Sequence, residues 1–356
     1  MRLLIAASGT GGHLFPALAL AQQLDDSIEW LGVPDRLEQT LVPECYPLHT
    51  VPVEGLQTRL SFGALPVFWR FLTSIFKVRQ LLKDRKIDAV LTTGGYIAGP
   101  AILAARLERI PVVLHESNFI PGKMTRLFGS LCSAIALGFA GTAQYLKNSH
   151  TVWVGTPVRS QFLSQSSLEL PVPTEVPLIV VVGGSQGALA VNQLVRQCAP
   201  AWFAAGAWVV HLTGENDPEA KSLQHRQYLS MPFYHQMAGL LQRADLAISR
   251  AGAGTLTELA VTQTPAILIP YPFAAEDHQA YNAQVFADAG AALMYRQEQL
   301  TPELLTRKVL ELLPAQDTPG DAPHQLQTMA QKAASLAVTD SAQQLATLVR
   351  QTVEQG

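Results

Sequence analysis

A short glycine-rich stretch near the start of the chain carries residue types that could bind an anion and move a proton. The stretch ASGTGGHLFPALALA (6–20) contains Thr10, Gly11, Gly12 and His13. The apolar run before it predicts a buried parallel strand, and the alanine-rich segment after it predicts a helix whose first turn holds Pro16. Backbone N–H groups at a helix start favour anions such as phosphate, and an imidazole can accept a proton. The alternative is a tight turn without a ligand, because the third glycine of the dinucleotide fingerprint is replaced by Leu14.

The same order of strand, glycine loop and helix recurs in the second half of the chain. LIVVVGGSQG (178–187) ends an apolar run in glycines, and ADLAISRAGAGTLTELA (244–260) repeats IDAVLTTGGYIAGPAILAA (87–105) in kind. Proline-led strands recur at RIPVVLHESN (109–118) and QTPAILIPYPFAAED (263–277). The recurrence predicts an α/β protein with two doubly wound, Rossmann-like parallel sheets and a ligand site in the cleft between the two domains.

Composition favours a globular protein and excludes several other classes. The 356 residues are 48% apolar and 15% charged, with a formal net charge of −3, so we expect buried sheets and no nucleic acid partner. Cys45, Cys132 and Cys198 are odd in number and far apart, which indicates a reducing cytoplasm and neither disulfides nor a zinc site. The first strand leaves no room for a signal peptide, and no apolar run could span a bilayer. We therefore expect a soluble or peripheral protein.

Seven motifs occur in an order that resembles one family along nearly the whole chain. They are GTGGHLFPALALA, TTGGYIAGP, HESNFIPG, GTPVR, GGSQGA, RAGAGTLTELA and DHQAYNA. Together they resemble the MurG family of peptidoglycan N-acetylglucosaminyltransferases. The resemblance implies a GT-B fold and an inverting transfer of N-acetylglucosamine (GlcNAc) from UDP-GlcNAc to the MurNAc 4-hydroxyl of undecaprenyl-pyrophosphoryl-MurNAc-pentapeptide (lipid I), which yields lipid II. The sequence departs from the family pattern at Thr156 and Gly254, where relatives often carry asparagine and a larger apolar residue.

The resemblance also implies how the work is divided along the chain. Residues 1–158, with a C-terminal helix at about 340–356, would form an acceptor and membrane-facing domain, and residues 159–339 would bind UDP-GlcNAc. The enzyme would be peripheral, at the cytoplasmic face of the bacterial inner membrane. Proteins of cell-wall synthesis and division would be further partners.

Donor binding is predicted for two glycine loops of the second half and for polar residues beside them. Gly184 with Ser185, and Gly254 with Thr255, would cradle the diphosphate through backbone N–H and hydroxyl groups. Glu258 is predicted in the first turn of the following helix, where it would accept hydrogen bonds from the ribose hydroxyls; a favourable first-turn residue without a ligand is the alternative. Gln186 and Ala253 belong to the same two loops. Arg159 would contact the uracil or a phosphate, with a surface ion pair as the alternative, and its place in GTPVR favours the first. The resemblance adds Tyr234, His278 and Gln279.

The acceptor hydroxyl loses a proton as it attacks the anomeric carbon, so a general base is needed. His13 and Glu116 are the candidates, and His13 is preferred because it lies at the tip of the glycine loop. The other acceptor-side residues are Thr10, Gly11, Gly12, Tyr96, His115 and Asn118. No D-x-D pair and no histidine pair with zinc spacing occurs, so we expect no required metal or cofactor, with magnesium at most a stimulant.

The segment LPVFWRFLTSIFKVRQLLKDRK (65–86) mixes aromatic residues with an excess of cations. Its six basic residues accompany one acid, and each basic residue adds about 1 kcal/mol of attraction to an anionic leaflet. The predicted membrane patch comprises Phe68, Trp69, Phe71, Ile75, Phe76, Lys77 and Arg79. The alternative is an ordinary crossover helix with a buried aromatic face.

Three other functions use similar domains. A nicotinamide dehydrogenase would need the missing third glycine and an acid that closes the second strand, where Glu29 fits poorly. A sugar-nucleotide sensor would bind the donor without turnover. A glycolipid synthase that acts on diacylglycerol shares parts of the donor half, but TTGGYIAGP and HESNFIPG in the acceptor half argue against it.

Overall fold

The chain consists of two compact α/β units. The computed structural model describes residues 1–53, 64–184, 187–313 and 322–355. Unit 1 consists of Met1–Arg159 and Val338–Gly356, and unit 2 consists of Ser160–Ala337. The resemblance places these boundaries after residue 158 and at about 340. Each unit contains one parallel sheet flanked by helices.

Unit 1 has a seven-stranded sheet in the order β3-β2-β1-β4-β5-β6-β7. Its elements are β1 (Arg2–Ala6), α1 (Gly11–Ala21), β2 (Ser27–Gly32), α2 (Glu38–Leu41), β3 (Leu48–Thr50), α3 (Ala64–Asp84), β4 (Ala89–Thr92), α4 (Ala98–Leu107), β5 (Val112–Glu116), α5 (Lys123–Phe128), β6 (Ala134–Leu137) and β7 (Thr151–Trp153). The chain proceeds from β1 to one side and from β4 to the other. The strand order therefore reverses between β1 and β4, where doubly wound sheets bind ligands.

Unit 2 has a six-stranded parallel sheet in the order β10-β9-β8-β11-β12-β13. Its elements are β8 (Leu178–Val182), α6 (Leu189–Ala204), β9 (Trp208–Leu212), β10 (Tyr228–Met231), α7 (Met237–Arg243), β11 (Leu246–Ser249), α8 (Ala253–Val261), β12 (Ala266–Leu268), α9 (His278–Asp288), β13 (Ala292–Met294), α10 (Pro302–Leu312) and α11 (Ala322–Ser335). The last helix, α12 (Ser341–Glu354), belongs to unit 1. In unit 2 the strand order reverses between β8 and β11.

Helices cover both faces of the unit 1 sheet, which is why its strands are continuously apolar. Successive side chains of a strand point to opposite faces. In β1, Leu4 and Ala6 accordingly join the core formed with α3 and α4, whereas Leu3 and Ile5 join the core formed with α1 and α12. Each fully buried aliphatic side chain contributes about 1.5–3 kcal/mol relative to an exposed one.

The first helix begins earlier than the sequence indicates. Thr10 is the N-cap in an extended conformation, Gly11 is the first residue of α1, and the N–H groups of His13 and Leu14 donate to the carbonyl oxygen of Thr10 at 3.0 and 3.1 Å. Pro16 is therefore the sixth helical residue, and its predicted place in the first turn is wrong. The glycines form the first turn themselves, so His13 lies on a helix and not at the tip of a loop.

Candidate active site

The loops that follow β1 and β4 meet at the carboxyl edge of the unit 1 sheet. Nδ1 of His13 lies 2.7 Å from the carbonyl oxygen of Thr93, so one hydrogen bond spans the reversal of strand order. Gly94 and Gly95 have φ angles of 92° and 73°. A Cβ on either glycine would lie 3.4 or 3.6 Å from the imidazole ring. These glycines let the backbone after β4 take a left-handed path against the face of His13.

This hydrogen bond determines which nitrogen of His13 can act as a base. A carbonyl oxygen can only accept, so Nδ1 of the imidazole donates and carries the proton. In the neutral ring, Nε2 then holds the lone pair. The side chain is partly exposed. Nε2 of His13 can therefore accept a proton from a bound hydroxyl group, which is the chemistry of a general base.

A buried carboxylate that the sequence analysis did not identify holds the opening glycine loop. Glu38 is fully buried, and its oxygens accept hydrogen bonds from the N–H groups of Gly9 at 3.1 Å and Val33 at 2.7 Å. Thr10 and Gly12 remain exposed on the loop side that Glu38 does not cover. Nothing in the sequence around Glu38 distinguishes it from a surface acid, because its role depends on the pairing of β1 with β2.

Each carboxylate oxygen of Glu116 already accepts two hydrogen bonds from its own loop. One oxygen accepts from the backbone N–H and the side-chain amide of Asn118, at 3.0 and 3.3 Å. The other accepts from the N–H of Gly122 at 2.8 Å and the hydroxyl of Thr125 at 2.6 Å. The carboxylate is buried and organises the loop between β5 and α5. This geometry argues against Glu116 as the general base and leaves partly exposed Asn118 held in place by it.

The side chain of His115 is buried, whereas that of Tyr96 is exposed. The imidazole of His115 is fully buried, donates through Nε2 to the carbonyl oxygen of Gly155 at 2.9 Å, and contacts the Ser117 hydroxyl through Nδ1. Burial lowers the pKa of His115, so the ring stays neutral. The prediction that His115 faces the acceptor is therefore wrong, because its side chain points into the core. Tyr96, by contrast, is exposed just before α4.

Arg159 ends the first of the two segments that form unit 1, and it lies beside α1. Its guanidinium carbon is 4.3 Å from the ring centroid of Phe15, a cation–π contact. Phe15 follows His13 by two positions on the same helix. The contact therefore ties the end of the GTPVR motif to the helix that carries His13, and the sequence offered no signal for Phe15 because one aromatic residue in a helix is usually core.

Two glycine loops lie side by side at the carboxyl edge of the unit 2 sheet, after β8 and β11. Gly184 has a φ of +85°, and a Cβ added at Gly184, Gly252 or Gly254 would meet no described atom within 4 Å. At Gly187, with a φ of +74°, an added Cβ would collide with the carbonyl oxygen of Thr213. The loops thus leave open space beside their backbone where strand order reverses. Ser185 and Gln186 lie outside the described residues.

The helix after β11 begins at Ala253, two residues earlier than the start after Gly254 that placed Glu258 in the first turn. Gly252 is the N-cap and Ala253 is the first residue of α8, so Thr255 is third and Glu258 is sixth. The first turn contains no acid. The predicted first-turn position of Glu258 is therefore wrong, and the helix dipole favours its carboxylate less than expected, since the effect falls off within the first turn. Ala253 is buried, whereas Gly254, Thr255 and Glu258 are partly exposed.

Three further predicted donor residues lie on neighbouring loops of unit 2. Gln279 is the second residue of α9, and its Oε1 accepts from the N–H groups of Ala251 at 3.2 Å and Tyr271 at 2.9 Å. This leaves its Nε2 to donate to a ligand. His278 begins α9 and donates through Nδ1 to a backbone carbonyl. Tyr234 follows β10, the edge strand, and its hydroxyl donates to Gln236 at 2.9 Å.

The helix α3 buries two residues that were predicted to face a membrane. Phe71 and Ile75 are each 8% exposed and belong to the core beneath the helix, together with Val78. A Cβ at Gly99 of α4 would lie 2.9 Å from the Phe71 ring, so a glycine in α4 admits that ring. The prediction is wrong for Phe71 and Ile75 because the packing of α4 selects which side of α3 is buried. The side chain of Phe68 lies outside the described residues.

The opposite side of α3 is exposed and aromatic. Trp69 and Phe76 are 68% and 65% exposed, and they lie seven residues apart, two turns along one side of the helix. Lys77 is exposed beside Phe76. Arg79 forms an ion pair with Glu108, so this cation is balanced within the protein. We call Trp69, Phe76 and Lys77 the α3 face.

Neither a metal site nor a membrane span is present in the part of the chain that the structure describes. Across residues 1–53, 64–184, 187–313 and 322–355, no three His, Cys, Asp or Glu side chains are grouped to hold a metal ion. Within the same ranges, no helix has the length and apolar character needed to cross a bilayer.

Fold and site together define the class of protein. Two Rossmann-like parallel-sheet units with open glycine loops at the strand-order reversals form a GT-B glycosyltransferase, which confirms the expected fold. A crystal structure of Acinetobacter baumannii MurG is similar with a TM-score of 0.75 and 29% identity, over 98% of this chain and 99% of that chain. A calicheamicin glycosyltransferase shares the fold, with a TM-score of 0.68 at 16% identity over 99% of this chain and 98% of that chain.

Sequence comparison gives the family. The N-terminal domain of glycosyltransferase family 28 matches residues 3–137, and the C-terminal domain matches residues 178–345. A protein of Rippkaea orientalis is 66% identical over 98% of this chain and 97% of its own length, and one of Synechocystis is 64% identical over 99% and 98%. Both are named UDP-N-acetylglucosamine–N-acetylmuramyl-(pentapeptide) pyrophosphoryl-undecaprenol N-acetylglucosamine transferase. The chain belongs to glycosyltransferase family 28 and, within it, to the MurG family.

Proposed function

We propose that this chain is a hexosyltransferase that moves GlcNAc from UDP-GlcNAc to the MurNAc 4-hydroxyl of lipid I, forming lipid II in peptidoglycan synthesis. One observation supports this pair of substrates. Relatives that are 64% and 66% identical along almost the whole chain are named for a transfer between these two substrates. Identity at this level over both units supports the same substrate pair for this chain.

His13 acts on the acceptor in this proposal. Its Nδ1 proton is held by the carbonyl oxygen of Thr93, so Nε2 is the atom that takes the proton of the attacking hydroxyl. The hydroxyl oxygen bonds to the anomeric carbon while the bond from that carbon to the β-phosphate oxygen breaks. UDP leaves with the bonding electrons, and attack from the side opposite to UDP inverts the anomeric centre. Glu116 is not assigned this step, because four hydrogen bonds already occupy its oxygens.

Unit 2 holds the donor. The open space beside Gly184, Gly252 and Gly254 supports a diphosphate bound by the backbone N–H groups of two adjacent loops. These groups would stabilise the charge that develops on UDP, so the reaction needs no metal, and magnesium would act only as a stimulant. The remaining donor assignments are Ser185, Gln186, Ala253 and Thr255 to the diphosphate, Arg159 to uracil or a phosphate, Glu258 to the ribose, Tyr234 to the base, and His278 and Gln279 to the GlcNAc hydroxyls.

The undecaprenyl chain of the acceptor requires contact with a membrane. We place the enzyme, as a peripheral protein, at the cytoplasmic face of the bacterial inner membrane, with proteins of cell-wall synthesis and division as further partners. The α3 face supports this placement. Because α3 connects two parallel strands and ends just before β4, its first turns lie at the carboxyl edge of the sheet, as His13 does. Trp69 and Phe76 would then contact the bilayer while lipid I is presented to that edge.

A transfer assay tests the proposal. Purified protein is incubated with labelled UDP-GlcNAc and a lipid I analogue, and the product is identified by mass spectrometry. Parallel reactions contain diacylglycerol or no acceptor. We expect GlcNAc to be added to the lipid I analogue alone. A glycosylated diacylglycerol would indicate the related glycolipid synthase, and donor binding without any turnover would indicate a sensor.

A further inference from the structure

Two consecutive residues immediately before α9 adopt a conformation that side chains other than glycine rarely take. Glu276 has φ and ψ of 52° and 27°, and Asp277 has 56° and 25°. In this left-handed region the Cβ atom comes close to the following carbonyl oxygen, which disfavours L-residues. Two such residues in succession need support from the surrounding structure. The sequence AAEDHQ provides no glycine that could relieve the strain.

Arg296, in the loop after β13, supplies that support. Its Nη1 donates to Oδ1 of Asp277 and its Nη2 donates to Oδ2, each at 2.6 Å. A guanidinium that donates twice to one carboxylate fixes orientation as well as distance. The two side chains are 34% and 39% exposed, so the pair lies at the surface and does not belong to the core. The pair holds Asp277 in the left-handed turn.

The left-handed turn at Glu276 and Asp277 fixes the position of Gln279, which is two residues after Asp277. A single atom, Oε1 of Gln279, accepts from the N–H of Ala251 after β11 and from the N–H of Tyr271 after β12. Ala251 directly precedes Gly252, the N-cap of α8. A shift at the start of α9 therefore moves the backbone of one glycine loop.

The next residue, Gln297, is linked to the same two loops through Arg250. Oε1 of Gln297 accepts from Nη2 of Arg250 at 2.7 Å. Arg250 is 8% exposed and donates through Nη1 to the carbonyl oxygens of Ile269 and Pro270, both at 3.1 Å. The loop after β13 thus contacts both the turn before α9 and the arginine that joins the ends of β11 and β12.

We propose that Arg296 is a positioning residue for the sugar-nucleotide donor: by clamping Asp277 it keeps Gln279 and the glycine loop after β11 in the arrangement that binds UDP-GlcNAc. This rests on the proposed function of the protein. Arg296 does not touch the substrate in this account. Its ion pair with Asp277 raises the fraction of molecules in which the glycine loop after β11 has the conformation that binds UDP-GlcNAc.

The fraction of molecules with a binding-competent loop determines the KM for UDP-GlcNAc. If loss of the clamp leaves about one tenth of the molecules with a binding-competent loop, the apparent dissociation constant rises about tenfold. Saturating donor draws the population back to the competent arrangement. Arg296→Ala should therefore raise the KM for UDP-GlcNAc about tenfold and lower kcat by less than about threefold.

The test uses three variants and one control. Arg296→Ala removes the clamp, and Arg296→Lys keeps the charge but cannot donate in the same forked way. Arg296→Ala combined with Asp277→Asn replaces the strained aspartate with a residue that tolerates the left-handed region better. Arg307→Ala is the control, because Arg307 pairs with Glu311 on the exposed side of α10. KM, kcat, calorimetric affinity for UDP and melting temperature are measured on each preparation.

The proposal expects Arg296→Lys to resemble Arg296→Ala, and the Asp277→Asn combination to recover about threefold of the lost KM, with Arg307→Ala normal. An unchanged KM in Arg296→Ala would overturn the proposal. The proposal would also be overturned if Arg296→Lys had a normal KM and the combined variant showed no recovery. That result would mean that Arg296 acts through its charge on the diphosphate. Failure of the proposed function is distinguishable, because the wild-type protein would then transfer no GlcNAc in the same assay.

Discussion

Replacing Trp69 and Phe76 with serine should release the protein from anionic membranes without unfolding it. Both side chains are about two thirds exposed and neither belongs to the buried core. The buried side of α3, with Phe71 and Ile75, is untouched by the replacement. The two rings therefore contribute contact area for a membrane and little to the stability of unit 1.

The exposed areas set the size of the effect. A fully enclosed Phe or Trp side chain buries about 150–250 Å², so rings that are 68% and 65% exposed each offer roughly 100–170 Å² to lipid. At about 25 cal/mol per Å², full burial is worth about 2.5–4 kcal/mol for each ring. An interfacial helix inserts to a limited depth, and half of that value for each ring gives about 3 kcal/mol for the pair. The double variant should bind vesicles about 10²-fold more weakly.

Cosedimentation with vesicles of neutral and anionic phospholipid provides the measurement. Leu107→Ser is the matched control, because Leu107 is 60% exposed but is the last residue of α4 and lies outside the α3 face. Lys77→Gln should weaken binding by about 1 kcal/mol, and only at low salt. Turnover of a water-soluble acceptor analogue should remain near the wild-type rate in the double variant.

Two results would refute this reasoning. Vesicle binding by the Trp69→Ser/Phe76→Ser variant equal to that of the wild type would remove the α3 face from membrane contact. An equal loss in Leu107→Ser would show that any exposed apolar side chain has the same effect. Wild-type binding that ignores both salt and anionic lipid would contradict the contribution of Lys77.

Three further predictions concern catalysis, donor binding and pH. His13→Ala should lower kcat by about 10²–10⁴ with donor affinity and melting temperature near normal, and a near-normal rate in the folded variant would contradict its role as the base. Glu258→Ala and Arg159→Ala should each weaken calorimetric binding of UDP-GlcNAc, and unchanged affinity in both would exclude them from the donor site. Burial lowers the pKa of His211 to about 3 in the folded protein, whereas its pKa in the unfolded chain is about 6.5. Between these two pH values the unfolded chain binds a proton that the folded protein does not. The free energy of unfolding should therefore fall by about 2 kcal/mol between pH 7 and pH 5, a loss that His211→Gln should reduce in urea titrations.

The glycine loops could be predicted because each depends on neighbours in the sequence. A continuous apolar run followed by glycines specifies a buried strand and a tight exit from it, as at β1 and β8. The repetition of this local pattern then predicted two sheets. The glycine loops that it identified follow β1, β4, β8 and β11, the strands between which the structure reverses its strand order. Helix starts were less accurate, since Pro16 and Glu258 were assigned to first turns that begin earlier in the chain.

Side-chain direction and long-range partners could not be predicted. HESN was expected to supply acceptor-side residues, yet His115 points into the core and Glu116 binds its own loop, because both depend on how β5 packs. Glu38 and Arg296 contact backbone or side chains 29 and 19 residues away, a distance over which sequence spacing carries no signal. Phe71 likewise is buried because Gly99 of another helix makes room for it.

Product analysis with a lipid I analogue that lacks the 4-hydroxyl of MurNAc tests the central claim most directly. The normal and 4-deoxy analogues are incubated separately with UDP-GlcNAc and the wild-type protein, and the products are analysed by mass spectrometry and NMR. The account predicts a disaccharide with inverted, β anomeric configuration from the normal analogue, and no linked sugar from the deoxy analogue. Transfer of GlcNAc to the deoxy analogue, or a product that retains the α configuration, would contradict it.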